Sequence, residues 1–431
     1  MRSYNDLDVN ARNAIRRYQP MLIAIALVAE LFLAGDWYGF AAVISFVSKS
    51  LALTASQAGF AQGLFAITYA ISLFAWGPLV DKVHAKWMIV GGLLGTGAVM
   101  FLQGFVTSYG ELLLVRGIIG VFDAAVFVGT MKLIAAWFPP ARRGALMGAL
   151  LAAYSLAITL DFAVGIPVAH QVGWQYFFGG LGILTMIVSG VSAILVKSQP
   201  QDVGVPQFAW DVSLVPSAKG TKNLAGVFRQ PWIYVAALAI FGDTFAISAG
   251  ATWVIPTFLT VDHISFNSAA LIGSIMGISQ VVFLLIGGVL SDRLRRRVLP
   301  MRIGAGLATI SGVLFAVAAM THLPGGVLFL FAGVSGVAVF SGGAIFSMVA
   351  DKYGEELAGA AIGYAEIGGI ISTFVAPSAM GFLITRTHAF VDGFWLFVGV
   401  EVAIFAVLML FVKDYSFSQT ELDSSQQVMD L

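Results

Sequence analysis

The chain has no cysteine, so disulfides and thiolate chemistry are excluded. Charge is scarce as well: 11% of the 431 residues are charged, under half of the one quarter or so usual in a soluble globular domain. No G-K-[ST] phosphate loop is present, which disfavours an ATP-driven pump. The five histidines are scattered without paired ligand spacing, so neither a metal nor any other cofactor is expected. No catalytic constellation appears, which argues against an enzyme. Formal net charge is zero, so nothing draws the chain toward nucleic acid. What remains is apolar: 59% hydrophobic residues and a mean hydropathy of +0.90. Such a composition fits lipid, not water, as the solvent.

A membrane-spanning helix needs about 20 mostly apolar residues. Twelve such runs can be placed, over roughly 21–48, 57–80, 88–107, 111–137, 145–170, 174–196, 231–258, 268–290, 300–321, 324–349, 358–385 and 393–412. The first 20 residues are polar and no small-residue cleavage site follows the first run, so a removable signal peptide is not expected. With the N-terminus placed inside, 19 of the 23 Lys and Arg fall on the inner side and only Lys49 and Arg386 on the outer. That bias puts both termini in the cytoplasm and makes the number of spans even. The stretch 197–230, with three prolines, reads as a plain linker between six helices and six. The expected organisation is an arm over 1–20, bundles over 21–196 and 231–413 separated by that linker, and a tail over 414–431. GGLLGTG (91–97) lies within an apolar run with no strand before it, which points to close helix packing and not to a nucleotide loop.

The two halves echo one another. GPLVDKVHAK (77–86) follows the second run and GVLSDRLRRR (288–297) the eighth; AGDWY (34–38) and FGDTF (241–245) sit midway through the first and seventh. Nearly equal offsets in the expected order indicate parallel repeats about an axis along the membrane normal. These loops resemble the G-x-L-x-D-[RK]-x-G-[RK]-[RK] motif of the major facilitator superfamily of secondary transporters. The first copy keeps Gly77, Leu79, Asp81, Lys82 and Lys86 but has His84 and Ala85 where the motif has Gly and a basic residue. The second keeps Gly288, Leu290, Asp292, Arg293, Arg296 and Arg297, with Arg295 for the Gly. RGIIG (116–120), WFPPARRG (137–144) and GWQYFF (173–178) are similar to further elements of the family. The resemblance spans the whole chain and implies an all-α membrane fold of twelve helices in two pseudo-symmetric six-helix bundles. In physical terms each loop carboxylate, Asp81 or Asp292, faces a neighbouring helix N-terminus. With its basic partners it would form a conformational latch.

Seven acids lie inside the runs: Glu30, Asp36, Asp123, Asp161, Asp243, Glu366 and Glu401. Facing lipid they would cost on the order of 20 kcal/mol together, more than the usual stability of a fold. Most must therefore meet water, pair with a base or keep a proton. Asp36 and Asp243 lie near mid-membrane on equivalent helices, beside Trp37, Tyr38 and Phe245, and are the leading candidates for proton or substrate contact, with Asp36 expected to face the interior between the halves. Arg116 and Asp123 share a helix face but stand about 10 Å apart along the axis, too far to touch without a third group. Lys132 is expected to snorkel to the surface unless Glu30 or Glu366 pairs with it. GIP (165–167) is expected to break the fifth helix and give Asp161 a polar niche. Glu401, on the last helix, reads as structural.

These residues favour a monomeric secondary transporter in a bacterial inner membrane, using a proton gradient to take up a small polar organic solute. The fifth segment, AVGIPVAHQVG (163–173), departs from the G-P-x-x-G-G ending of the family's efflux antiporters, which favours uptake. SQPQDVG (198–204) is weakly similar to the linker start of organic-acid symporters. A proton-driven exporter of organic cations, a non-transporting sensor and a lipid flippase remain the alternatives.

Overall fold

The structure is a computed structural model that describes residues 2–79, 82–210 and 224–415. Helix α1 (Val9–Ser50) starts where Asp8 accepts the Ala11 N–H at 2.6 Å, a cap that satisfies one of the donors a helix start leaves open. The helix therefore begins inside the segment expected as a polar arm and runs on through Pro20. Then come α2 (Ala55–Leu79), α3 (Ala85–Gln103), α4 (Tyr109–Trp137), α5 (Pro140–Gln171) and α6 (Trp174–Leu195). The short α7 (Leu224–Arg229) precedes α8 (Trp232–Thr260), α9 (Phe266–Leu294), α10 (Val298–Met320), α11 (Gly325–Ser335), α12 (Gly342–Thr387) and α13 (Phe390–Leu410). Eleven segments among the described residues are long and apolar enough to cross a membrane, and α2, of 25 residues, is the twelfth crossing helix. Their outer faces carry exposed Leu114, Ile194, Leu285, Leu330 and Leu410, apolar surface suited to lipid.

The tenth crossing is broken. It runs from Gly325 to Tyr353, but a 3-10 turn at Gly336–Val339 separates α11 from α12. Helical hydrogen bonding in α12 then continues to Thr387, although the chain reverses on the way. Ser341 meets Asp243 and Tyr353 meets Gln230, so α8 is followed backward; Gly368 then meets Ala237 and the Pro377 carbonyl meets Trp253, so α8 is followed forward. The expected break in the fifth crossing does not occur. Helix α5 is continuous through Pro167: an interior proline removes one N–H, and packing of Gly165 against Phe177 and Val43 holds the run in line.

The two described ends of the chain lie on one face, as an even number of crossings requires. The close contacts between the bundles lie in the half of the molecule away from it. Ser56 N–H donates to Thr385 Oγ1 at 2.7 Å, and Gly63 abuts the backbone of Phe374. Between α5 and α9, Ser274 donates to the Thr159 carbonyl at 3.2 Å, and His170 lies on Phe266 with ring centres 4.3 Å apart. The crossing of α5 and α9 depends on Gly277, where a Cβ would stand 2.6 Å from Thr159 N and 2.8 Å from Ser155 O.

The segment expected as a plain linker has structure at both ends. Its start makes a 3-10 turn at Pro200–Val203 and a strand β2 (Phe208–Ala209) that pairs in parallel with β1 (Arg2–Ser3). Trp210 stacks on Tyr4 at 4.8 Å and donates to the Ala136 carbonyl at 3.2 Å, which fastens the linker to the first bundle. At the other end the Tyr353 hydroxyl donates to the Val227 carbonyl at 3.1 Å.

Candidate functional site

The first bundle encloses a charged cluster. Arg116 on α4 and Asp36 on α1 are both fully buried, with Nη1 to Oδ1 at 3.6 Å. Arg116 also donates to three carbonyls: Ala61 at 3.2 Å, Asp36 at 3.3 Å and Gln62 at 3.2 Å. Phe40 and Phe65 flank its guanidinium at 4.8 and 4.9 Å, a position where ring faces attract a cation. The fork of donors that only arginine supplies thus joins α1, α2 and α4. Asp36 faces this interior of the first bundle, not the space between the bundles, and neither of its oxygens has a hydrogen-bond donor. The Arg116 charge is what compensates it.

Asp123, about two turns deeper on α4 than Arg116, is by contrast fully bonded. Thr96 Oγ1 donates to one oxygen at 2.7 Å and Trp37 Nε1 to the other at 3.0 Å. Trp37 in turn packs against Phe65 at 4.6 Å, Tyr69 at 5.2 Å and Tyr154 at 5.6 Å. The indole is therefore a lid whose N–H fixes one carboxylate and whose ring is held by three aromatic neighbours. Gln62 links the two acids, since its amide donates to the Trp37 carbonyl at 2.9 Å while its own carbonyl receives Arg116. As their spacing along α4 requires, Arg116 does not bond Asp123 directly; its ion pair is with Asp36.

The remaining acids lie around this centre. Glu30 is fully buried, and Tyr154 Oη reaches its Oε2 at 3.4 Å. Asp161, 4% exposed, lies against Gly35 with Oδ2 unpartnered. Tyr38 is buried on the same helix. In the second bundle Asp243 accepts from the Ser341 hydroxyl. Glu366, partly exposed on α12, borders Gly369 and Thr244. Lys132 donates to the Val83 carbonyl at 2.9 Å, in the loop between α2 and α3. Thr96, Gln62, Tyr69, Tyr154 and Ser341 escaped the sequence reading because each is a common polar or aromatic residue. Only its neighbours make it notable. Thr96 lies inside GGLLGTG, whose Gly92 and Gly97 pack tightly on Val126 and Met186, in line with the packing reading of that stretch.

Of the two latch copies, only the second has its carboxylate among the described residues. Asp81 lies outside the described residues; Gly77 is in α2 and Lys82 in the exposed turn after it. In the second copy Asp292, two residues from the end of α9, binds Arg297 at 2.6 Å, and Arg297 also binds Asp351 on α12 at 2.9 Å. Gly288 packs at the Gly343 backbone of the tenth crossing. Arg293, the expected partner, is exposed; the bridging role falls to the buried Arg297 because it stands at the start of α10, between the two acids. Asp414 adds a third tie, accepting the Val298 N–H at 3.1 Å and binding Arg296 at 3.3 Å.

Comparison with known proteins agrees with this architecture. The Major Facilitator Superfamily model matches residues 26–363 and 244–427, and the chain belongs to that family of membrane transporters. It is 26% identical over 412 residues to a hexuronate transporter of Bacillus subtilis, covering 90% of this chain and 94% of that one. It is 24% identical over 426 residues to the Escherichia coli protein named "Probable galactarate/D-glucarate transporter GudP", covering 91% and 92%. It is also 24% identical over 376 residues to the membrane sensor protein UhpC of Salmonella typhimurium, with 83% of each covered. Among solved structures, the bacterial homologue of the human lysosomal transporter Spinster, inward-facing and unoccupied, superposes with a TM-score of 0.73 at 15% identity, covering 91% of this chain and 95% of that one.

Proposed function

We propose that the chain is a proton-coupled symporter that takes up a small organic acid across a bacterial inner membrane, with both termini in the cytoplasm. The observation that carries the reading is the buried Asp36–Arg116–Asp123 cluster under the Trp37 lid. Charges this deep are costly unless they serve a pathway, and an acid with no donor, Asp36, is suited to take and release a proton. The names of the relatives, transporters of hexuronate and of galactarate or D-glucarate, support an organic acid as cargo. An anion entering an acid-rich interior needs accompanying protons, which fits symport and not uniport.

The bodies that move are residues 21–196 and 231–413, joined by 197–230, with the arm 1–20 and tail 414–431 on the cytoplasmic side. The excess of basic residues on that side supports the orientation. Contacts clustered in the far half of the seam support a state that opens toward the cytoplasm, and rocking of the two bodies about the seam would alternate access.

The test uses reconstituted vesicles with an inward proton gradient and radiolabelled D-glucarate or hexuronate. Wild type should accumulate one of them above equilibrium. Asp36→Asn should abolish accumulation while keeping part of the gradient-independent counterflow. Normal accumulation by that variant would overturn the role of Asp36. Binding without any flux would favour the sensor reading, which the likeness to UhpC keeps in view.

A further inference from the structure

The second bundle holds carboxylates that the cluster around Asp36 does not use. Glu401 on α13 is 1% exposed and its Oε1 has no hydrogen-bond partner. Its carboxyl lies over Gly242, where a Cβ would stand 3.4 Å from Oε2 and 3.6 Å from Oε1. The missing side chain is what leaves it room. The next residue on α8 is Asp243, one position from the glycine under that carboxyl, and it accepts from Ser341. Ser341 sits directly before α12, after the 3-10 turn that breaks the tenth crossing.

Among the described residues no base pairs with these acids. On α8 the other polar neighbour is Thr244, and on α12 it is Glu366, itself an acid beside Gly369. From α10, Arg302 donates to the Leu408 and Val412 carbonyls at 3.0 and 2.5 Å, about two to three turns nearer the terminal face than Glu401. On α13 the only other acid among the described residues is Asp392, at the far end of the helix. Two carboxyls in mutual reach among apolar groups cannot both stay ionised without a counter-ion, since burial and like charge both penalise the second anion.

We propose that Asp243 and Glu401 form a second proton-carrying site, in the second bundle and separate from the Asp36 cluster. Glu401, which lacks a donor, carries the proton. Asp243, bonded to Ser341 and partly exposed, is the route by which it exchanges with the seam. The broken crossing is the element whose movement opens and closes that route. The inference rests on the transporter reading and deepens it: one proton site in each bundle matches a cargo with two carboxylates, such as an aldarate, moved without net charge.

Difference infrared spectroscopy of the full chain in nanodiscs tests the site without needing any cargo. As pH is stepped upward through neutrality, wild type should show the carbonyl stretch of a protonated carboxyl that persists above the ordinary carboxylate range. Glu401→Gln should lose that band, and Asp243→Asn should shift its titration, while Asp36→Asn and Asp123→Asn should retain it. An unchanged band in both Glu401→Gln and Asp243→Asn would overturn the proposal. Removal of the band by sodium at constant pH would also overturn it, by assigning the site to a metal cation. Because the reading needs no flux, its failure is distinct from a failure of transport in the vesicle experiment.

Discussion

Arg116 shows how much one side chain can carry. It supplies donors to three carbonyls and a charge to Asp36, so Arg116→Lys, which keeps the charge but loses the planar fork, should destabilise the protein by about 2–5 kcal/mol. A thermal-unfolding scan in detergent would show this as a lower Tm. Trp37→Phe should cost less, about 1–3 kcal/mol, because the ring contacts survive and only the N–H to Asp123 is lost. At the far face, Asp262 in the loop after α8 has its carboxyl raised above the usual value by burial, opposed by the Leu323 N–H and by His322 and His263. A raised folded value means the carboxyl's contribution to stability is present below its unfolded value, near 3.9, and fades as pH rises through the folded one. Asp262→Asn should therefore flatten the dependence of Tm on pH over that window, as measured by a pH series of melts. The acids at depth were legible in the sequence because charge stands out against hydrocarbon. Their partners were not: Asp36 and Arg116 are 80 positions apart, and which turn of one helix faces which turn of another is decided by packing.

Among the elements, close crossings and broken ones carry the argument. At Gly277 an added Cβ would meet the Thr159 hydroxyl and two backbone atoms of α5, and no rotamer change can relieve the backbone clashes. Gly277→Val should push α9 from α5 and loosen the far-half seal, which would appear as faster labelling of Ser274→Cys from the far side of the membrane. Arg297→Ala should free Asp292 and Asp351 together, lowering counterflow rates while leaving cargo affinity within about twofold, since rim pairs of this kind bias conformations more than they bind. Helix existence and order were readable from twelve apolar runs. The fate of Pro167 was not, because a proline within a helix bends or breaks it according to what packs around the freed carbonyl. Nor was the turn at Gly336–Val339, whose sequence is as apolar as the helices on either side.

Over the whole molecule, the two-bundle plan was written in the repeated loops, whereas the linker's attachment to the first bundle through Trp210 and β2 came only with the structure. The seam itself can be tested by cross-linking. Because the chain has no native cysteine, a pair introduced as Ser56→Cys and Thr385→Cys can bridge only there, where Ser56 N–H meets Thr385 Oγ1 at 2.7 Å. Oxidation should trap the bundles together at that rim and stop counterflow, and reduction should restore it; unimpeded flux in the oxidised sample would show that this rim never parts. One earlier feature constrains what such motion can be. A guanidinium riveted to the backbones of α1 and α2 from α4 leaves those three no freedom to slide past each other. Spin labels on them should hold their spacing through every stage of the proposed cycle while their distances to the second bundle change, as for a hull that swings and not a hand that flexes.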